Sequence, residues 1–402
     1  MLSGYDPYRV EPLRRCEQAA ALEMGVRLVP ALVVPAPLPP YALAAFGFVA
    51  RLPFPDAIAL WFWLLFISTL GVTVLLRTMT GLSAVVIAVA WTISTAPSVL
   101  LGQMAPIVAF LIVSCAYFSR QRRYAAAAFC SAPTMVEPHI GLPCCVALFL
   151  FLPGTRRTLA GLGLAIFAVT LASGGWPLSF EYAIHELPSH ARSELFAPQT
   201  QYSLSTLLAV SGLSPRFALL FGQLDYLLML VIGLATARVL SRRFDDPSLF
   251  ALLPPAFMLL GGMYIHIYQF IIALPLAAIL YAHATRERRP KAAYLWSSCG
   301  VMTAIVIDVF YQGDFVRAFT HDAARSMARI DAADLASEIA RIWHTARMPH
   351  DVARMHAIVI AKAPGVIGLL VLVAATVREA FVRRDAVAAL RIEWPATRSS
   401  SR

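Results

Sequence analysis

The groups in this sequence that can do chemistry are few, and they stand against long apolar runs. Glu137-Pro138-His139 sets a carboxyl and an imidazole around a proline, which removes a backbone donor and breaks a helix. Such a break leaves backbone groups open beside an acid and a base, a minimum for binding a polar ligand or moving a proton. Gly102-Gln103 is a second polar interruption, and Tyr264-Ile265-His266-Ile267-Tyr268-Gln269 is a third. The third falls at the next turn on the same side as the first, so His139 and His266 can share one cavity. A metal would need a third ligand that the spacing does not place, and a single histidine equally serves as a packed core residue.

Ionisable residues inside apolar runs are costly and mark function by default. Asp225, near the centre of FALLFGQLDYLLMLVIG, reads as the most buried acid, with Asp308 and Glu137 nearer the ends of their runs. Its alternative role is structural, accepting hydrogen bonds from a neighbouring helix or keeping its proton. Gln103 and Gln223 carry the same pair of readings, because a polar side chain between helices also serves as packing glue. Asp6, between Tyr5 and Pro7-Tyr8, reads by itself as a turn acid. Cys16, Cys115, Cys130, Cys144, Cys145 and Cys299 lack metal-ligand spacing and read as small buried hydrophobes.

The elements that must position these groups are membrane helices. Of 402 residues, 59% are hydrophobic and 14% charged, and the mean hydropathy is +0.69, more apolar surface than one soluble core absorbs. The expectation is an all-α polytopic transmembrane bundle of about 11 spans. They lie near 55–76, 83–98, 104–118, 124–136, 139–152, 158–174, 216–239, 248–264, 266–283, 292–311 and 356–378. Several are short, and such segments are tilted or sunk in protein. A charge of +10 in a soluble chain would suit nucleic acid. Here the Arg residues sit between apolar runs without interleaved aromatics, where they orient the chain and meet anionic headgroups, so no nucleic-acid partner is expected. Arg outnumbers Lys by 31 to 2, a coding bias that points to a GC-rich, bacterial genome.

The basic clusters at Arg77, Arg120 to Arg123, Arg156-Arg157, Arg242-Arg243, Arg286 to Lys291 and Arg378 to Arg384 all fall on one side. The positive-inside rule makes that side cytoplasmic and puts the polar interruptions on the outer face of a bacterial inner (plasma) membrane. The N-terminus is then outside. Residues 1–40 carry four Arg and no signal-like apolar core, so a helix upstream of this sequence would reconcile the topology; otherwise the N-terminus lies inside and one short pair is a hairpin.

The expected organisation is an outer segment with a short apolar helix over 1–54, the bundle over 55–383 and a cytoplasmic tail over 384–402. Two outer loops, 175–203 and 312–355, carry aromatic and aliphatic residues among charges. Trp176, Phe180 and Tyr182 mark the first, and Leu335, Ile339, Ile342 and Trp343 the second. Both are expected to be helices lying on the membrane or on the protein itself. No internal repeat is evident, which weakens an inverted-repeat carrier.

The order of these features resembles glycosyltransferase family 87, the polyprenol-phosphate-mannose-dependent mannosyltransferases of the GT-C class, from about Tyr5 to about His283. Asp6-Pro7-Tyr8 stands where that family has an acid followed by aromatics in its first outer loop, and Pro39-Pro40-Tyr41 matches a Pro-Pro lead into the next apolar run. Gly102-Gln103 looks like its Gly-Gln step, and Glu137-Pro138-His139-Ile140-Gly141 like its Lys-Pro-His stretch. Trp176 to Leu187 with Gln201-Tyr202-Ser203-Leu204 resembles its outer loop, and Tyr264 to Phe270 an aromatic segment ending in Tyr-Asp. Glu137 thus replaces a lysine and Gln269 an acid.

The resemblance implies transfer of a hexose, mannose in that family, from a polyprenyl-phosphate sugar donor to a glycan or glycolipid acceptor at the outer face of the lipid bilayer, without a cofactor. It implies Asp6 as the base, Gln103, Glu137, His139, His266 and Gln269 as contacts to sugar or phosphate, and Arg192 as a phosphate partner. The readings of other classes are a lipid or small-solute transporter and a non-catalytic envelope assembly protein.

Overall fold

The computed structural model describes residues 8, 15, 38–49, 51–100, 102–195, 201–261, 265–304 and 352–381. Among them every regular element is helical, and strand-like pairing is limited to one antiparallel bridge between Gln201 and His266. The chain runs through α1 (Pro40–Val49), α2 (Phe54–Thr80), α3 (Ala84–Leu100), α4 (Ala105–Arg120) and α5 (Tyr124–Ser131) into a 3-10 turn, Ala132–Val136. It continues through α6 (Pro138–Phe151), α7 (Arg156–Glu181), α8 (Leu187–Glu194), α9 (Leu204–Val210), α10 (Pro215–Phe244) and α11 (Leu249–Met258). A second 3-10 turn, Ile267–Ile272, leads into α12 (Ala273–Arg286), α13 (Pro290–Ala304) and α14 (Val352–Phe381).

Five described stretches are long and apolar enough to cross a bilayer: Asp56–Thr80, Pro153–Glu186, Pro215–Phe244, Tyr268–Arg286 and Ala363–Phe381. The protein is therefore a helical membrane protein by length and composition. The other apolar helices are shorter; α4 and α11 are largely interior, whereas α1 and α3 carry open residues such as Phe48 and Val85. All residues of α11 are buried, and it packs against α10, α6 and α4, so the core is built around it. A helix surrounded by protein on every side is apolar all round, which is why its sequence shows no amphipathic stripe. By contrast α7 buries none of its residues and stands at the periphery.

Two expectations change. The run 248–264 is helical only to Met258, because Gly261-Gly262 follow and glycine disfavours a helix interior. The run 266–283 opens as the 3-10 turn rather than as α-helix. The first outer segment, expected to be helical, is so from Trp176 to Glu194. Helical bonding passes a break at Gly175 (φ 68°, ψ −168°), reaches Glu181, widens into a π turn over Tyr182–Glu186 and resumes as α8. Of the second outer loop, residues 312–351 lie outside the described residues, as does Asp308, and α14 begins at Val352.

Two carboxylates tie the helices together at the end where the Arg residues gather. Asp246, between α10 and α11, pairs with Arg120 at the end of α4, accepts from His283 Nε2 of α12 at 2.7 Å, and accepts from the Ser248 amide at 3.0 Å. Arg120 also donates to the Met79 carbonyl of α2 at 2.6 Å, and Arg286 donates to the same carbonyl at 3.2 Å. Glu379 of α14 receives both Nη atoms of Arg289, at 2.6 and 2.9 Å, and pairs with Arg243 of α10. Three turns at this end place a non-glycine residue in the left-handed region: Arg122 (φ 58°), Asp245 (φ 47°) and Arg288 (φ 55°).

Candidate functional site

The opposite end of the bundle is shaped by three turns. The first follows α3, where Gly102 adopts φ 63° and the Gln103 amide closes onto the Ser98 carbonyl at 2.7 Å. A left-handed residue ending a helix in this way favours glycine, and the Gly102 carbonyl is further held by the Trp61 indole N–H at 2.8 Å. The second turn precedes α6. Glu137 is its N-cap, Pro138 occupies the first helical position, and the Gly141 amide donates to the Glu137 carbonyl at 2.8 Å. A Cβ on Gly141 would lie 2.3 Å from the Thr134 carbonyl oxygen, so glycine is what lets the 3-10 turn fold back on α6. The third turn precedes α12, where the Tyr202 amide donates to the Ile265 carbonyl at 2.8 Å and pins the turn against the segment 201–203.

These turns, with the π turn before α8 and one face of α10, enclose a cavity of about 530 Å³. Gln103, Glu137, His139, His266 and Gln269 all line it, so five side chains singled out from separate stretches of sequence meet in one place. Tyr182, His190, Gln223, Tyr226 and Tyr268 complete the polar part of the wall. Tyr226 donates to the His139 carbonyl at 3.3 Å, and the His266 ring stacks on Tyr268 at 4.8 Å between centroids. A second, apolar crevice of about 430 Å³ runs between α6 and α7 and shares Leu142 with the polar cavity.

Gln269 organises the floor. Its Oε1 accepts the His266 amide at 2.9 Å, while its Nε2 lies 3.0 Å from Glu137 Oε2 and 2.9 Å from His139 Nε2. Turning the amide over would set Nε2 against an N–H donor and Oε1 against a carboxylate, so the orientation is determined by its neighbours. The two N–H groups of the amide are then spent on Glu137 and His139. His139 Nε2 must accept, which makes this imidazole neutral with its proton on Nδ1. Glu137, only 8% exposed, presents carboxylate oxygen rather than positive charge. Gln201 Nε2 lies 3.1 and 3.2 Å from the two ring nitrogens of His266, linking the floor to the segment ahead of α9.

Not every expected residue is placed. Asp6 lies outside the described residues, as does Tyr264; the backbone of Arg192 belongs to α8, but its side chain is outside them too. Tyr8 is described: its hydroxyl donates to the Leu38 carbonyl at 2.7 Å, and its ring sits 5.3 Å from that of Tyr182, so it packs behind two residues of the cavity wall. Asp225 is not the most buried acid. It is partly exposed on α10 beside the open Leu224 and Leu228, while Asp246 is 2% exposed. The lining residues given no site role from the sequence had weak signals: Tyr226 adjoins Asp225 in an apolar run, and His190 and Tyr182 fall in the outer segment read as a surface helix.

Among the described lining residues there is no Lys or Arg. The wall therefore offers amide, imidazole, phenol and carboxylate groups, a set that hydrogen-bonds hydroxyl groups and stacks on the flat faces of a ring. Comparisons of the chain with protein-family models, with curated proteins and with solved structures find no match.

Proposed function

We propose that this protein is a membrane hexosyltransferase that takes a sugar from a polyprenyl-phosphate donor and passes it to an extracytoplasmic glycan or glycolipid acceptor in a bacterial plasma membrane. The observation that carries this reading is that a polar cavity and an apolar crevice beside the peripheral helix α7 lie against the same residue, Leu142. Such a pair fits an amphiphilic ligand with a sugar head and a hydrocarbon tail. The GT-C-like resemblance and the clustering of Arg at the far end support an outer position for the cavity.

In this reading the acceptor hydroxyl attacks the anomeric carbon, the carbon–oxygen bond to the lipid phosphate breaks, and the hydroxyl proton passes to a carboxylate base. Asp6 is the base implied by the resemblance, and the packing of Tyr8 against the cavity wall supports that assignment. The test is transfer of labelled mannose from polyprenyl-phosphate mannose by wild type and by Asp6→Asn at equal protein level. Loss of transfer in the variant supports the reading; equal rates refute Asp6 as the base, and no transfer by either across several sugars and acceptor extracts refutes the enzyme.

A carrier of the same ligand is the second reading. The ties of Asp246 and Glu379, which join α2, α4, α10, α12 and α14 at the basic end, weigh against rocking of one half of the bundle on the other.

A further inference from the structure

The floor of the cavity bears on which part of an amphiphilic ligand lies there. A lipid-phosphate sugar has an anionic phosphate and a neutral, hydroxyl-rich ring, and the two need opposite partners. Phosphate is held by cations or by converging N–H donors. At the floor, the Gln269 N–H groups are already committed, one to Glu137 Oε2 at 3.0 Å and one to His139 Nε2 at 2.9 Å. The His266 amide is committed to Gln269 Oε1 at 2.9 Å. Glu137 also faces the cavity; burial pushes its carboxyl up to about 7 against the lowering effect of the Gln269 bond, so above that pH it is an anionic acceptor that takes hydroxyl hydrogens and repels a second anion.

We infer that Glu137, held by Gln269, makes the floor a subsite for an uncharged sugar ring and excludes phosphate from it. This rests on the transferase reading for the identity of the ligand, and it deepens that reading by assigning the two halves of the donor to different places. The phosphate then lies away from the Glu137 floor, while the ring sits over Glu137 and His139. Glu137 is a specificity-determining residue in this scheme, and its substitution by lysine converts an acceptor floor into an anion floor.

The experiment uses the full chain in lipid nanodiscs at pH 8, above the raised Glu137 value, and measures saturable binding of labelled octyl β-mannoside, with octyl phosphate as competitor and empty nanodiscs as the blank. The expected result is that octyl phosphate displaces the mannoside only at about tenfold higher concentration than unlabelled mannoside does, since a charge-assisted hydrogen bond of this kind is worth about that factor. Glu137→Gln weakens mannoside binding by about the same factor at an unchanged unfolding midpoint, and Glu137→Lys reverses the order of the two ligands. Absence of saturable mannoside binding, equal or stronger competition by octyl phosphate, or unaltered binding in Glu137→Gln overturns the inference. Should Glu137→Lys fail to fold, the wild-type competition and Glu137→Gln still decide. Mannose transfer from polyprenyl-phosphate mannose is assayed in parallel. Selectivity without transfer refutes the transferase reading and leaves the subsite standing, and transfer without selectivity refutes the subsite alone.

Discussion

Gln269 Nε2 donates to Glu137 Oε2 at 3.0 Å across 132 positions of sequence, and this contact joins the turn before α6 to the turn before α12. Both side chains are almost fully buried, at 2% and 8% exposure. Removing the amide leaves a carboxyl group buried with one partner fewer. Gln269→Leu is therefore expected to lower stability by about 2 kcal/mol, and adding Glu137→Leu to recover part of that loss, because the unsatisfied group is then gone. Unfolding midpoints of the two single variants and the double variant in one detergent check this. Strict additivity would show that the contact is not coupled.

The Asp246 cluster gives a pH dependence. Burial by itself pushes the Asp246 carboxyl up, but hydrogen bonds from His283, Arg120 and Ser248, with the Arg120 charge, outweigh it and hold the group well below the usual carboxylate range. A depressed folded value means the stabilisation is complete above the unfolded value of about 3.9 and is lost as pH falls below it. Wild type should lose stability steadily below about pH 4 where Asp246→Asn changes less. At pH 7 that variant should be less stable by about 3 kcal/mol, the low end for breaking a buried pair, since Arg120 keeps 25% of its side-chain exposure. Equal acid sensitivity of the two proteins would remove Asp246 from the explanation.

Backbone geometry at the cavity can be tested without touching a lining side chain. Gly102→Ala places a Cβ at φ 63°, a conformation that disfavours L residues by roughly 1–2 kcal/mol. The Cβ itself meets only the Trp61 ring, at 3.6 Å or more, so the penalty comes from the backbone and not from crowding. Gly141→Ala differs in mechanism: its Cβ would lie 2.3 Å from the Thr134 carbonyl oxygen, and the 3-10 turn must move. The second variant should lose ligand binding along with about 1–3 kcal/mol of stability, as overpacked sites do. Measuring both midpoints and mannoside binding separates strain from displacement.

Arg288 holds φ 55° in the turn between α12 and α13, and its neighbour Arg289, not Arg288, makes the bonds to Glu379. Arg288→Gly removes the strain without removing that tie. It should raise stability by a few tenths to about 1 kcal/mol, after subtracting the extra freedom glycine gains in the unfolded chain. A lowered midpoint would mean that the Arg288 side chain contributes more than its backbone geometry withholds.

That this chain is a helical membrane protein is legible in its residues, because bilayer-length apolar runs and clustered Arg are local properties of the chain. Proline and glycine likewise announce where helices break, so the turns at Gly102-Gln103 and Glu137-Pro138-His139 were legible from residue type. Which breaks face each other, and which polar groups are already satisfied, depends on how the helices pack. Hydropathy cannot distinguish the wholly packed α11 from the peripheral α7, since both are apolar and differ only in what surrounds them. For the same reason Asp225 looked deeper than Asp246: depth in a run of sequence is not depth in a bundle. The committed amide of Gln269 and the neutral imidazole of His139 follow from distances between turns far apart in the chain, and no spacing in the sequence carries that information.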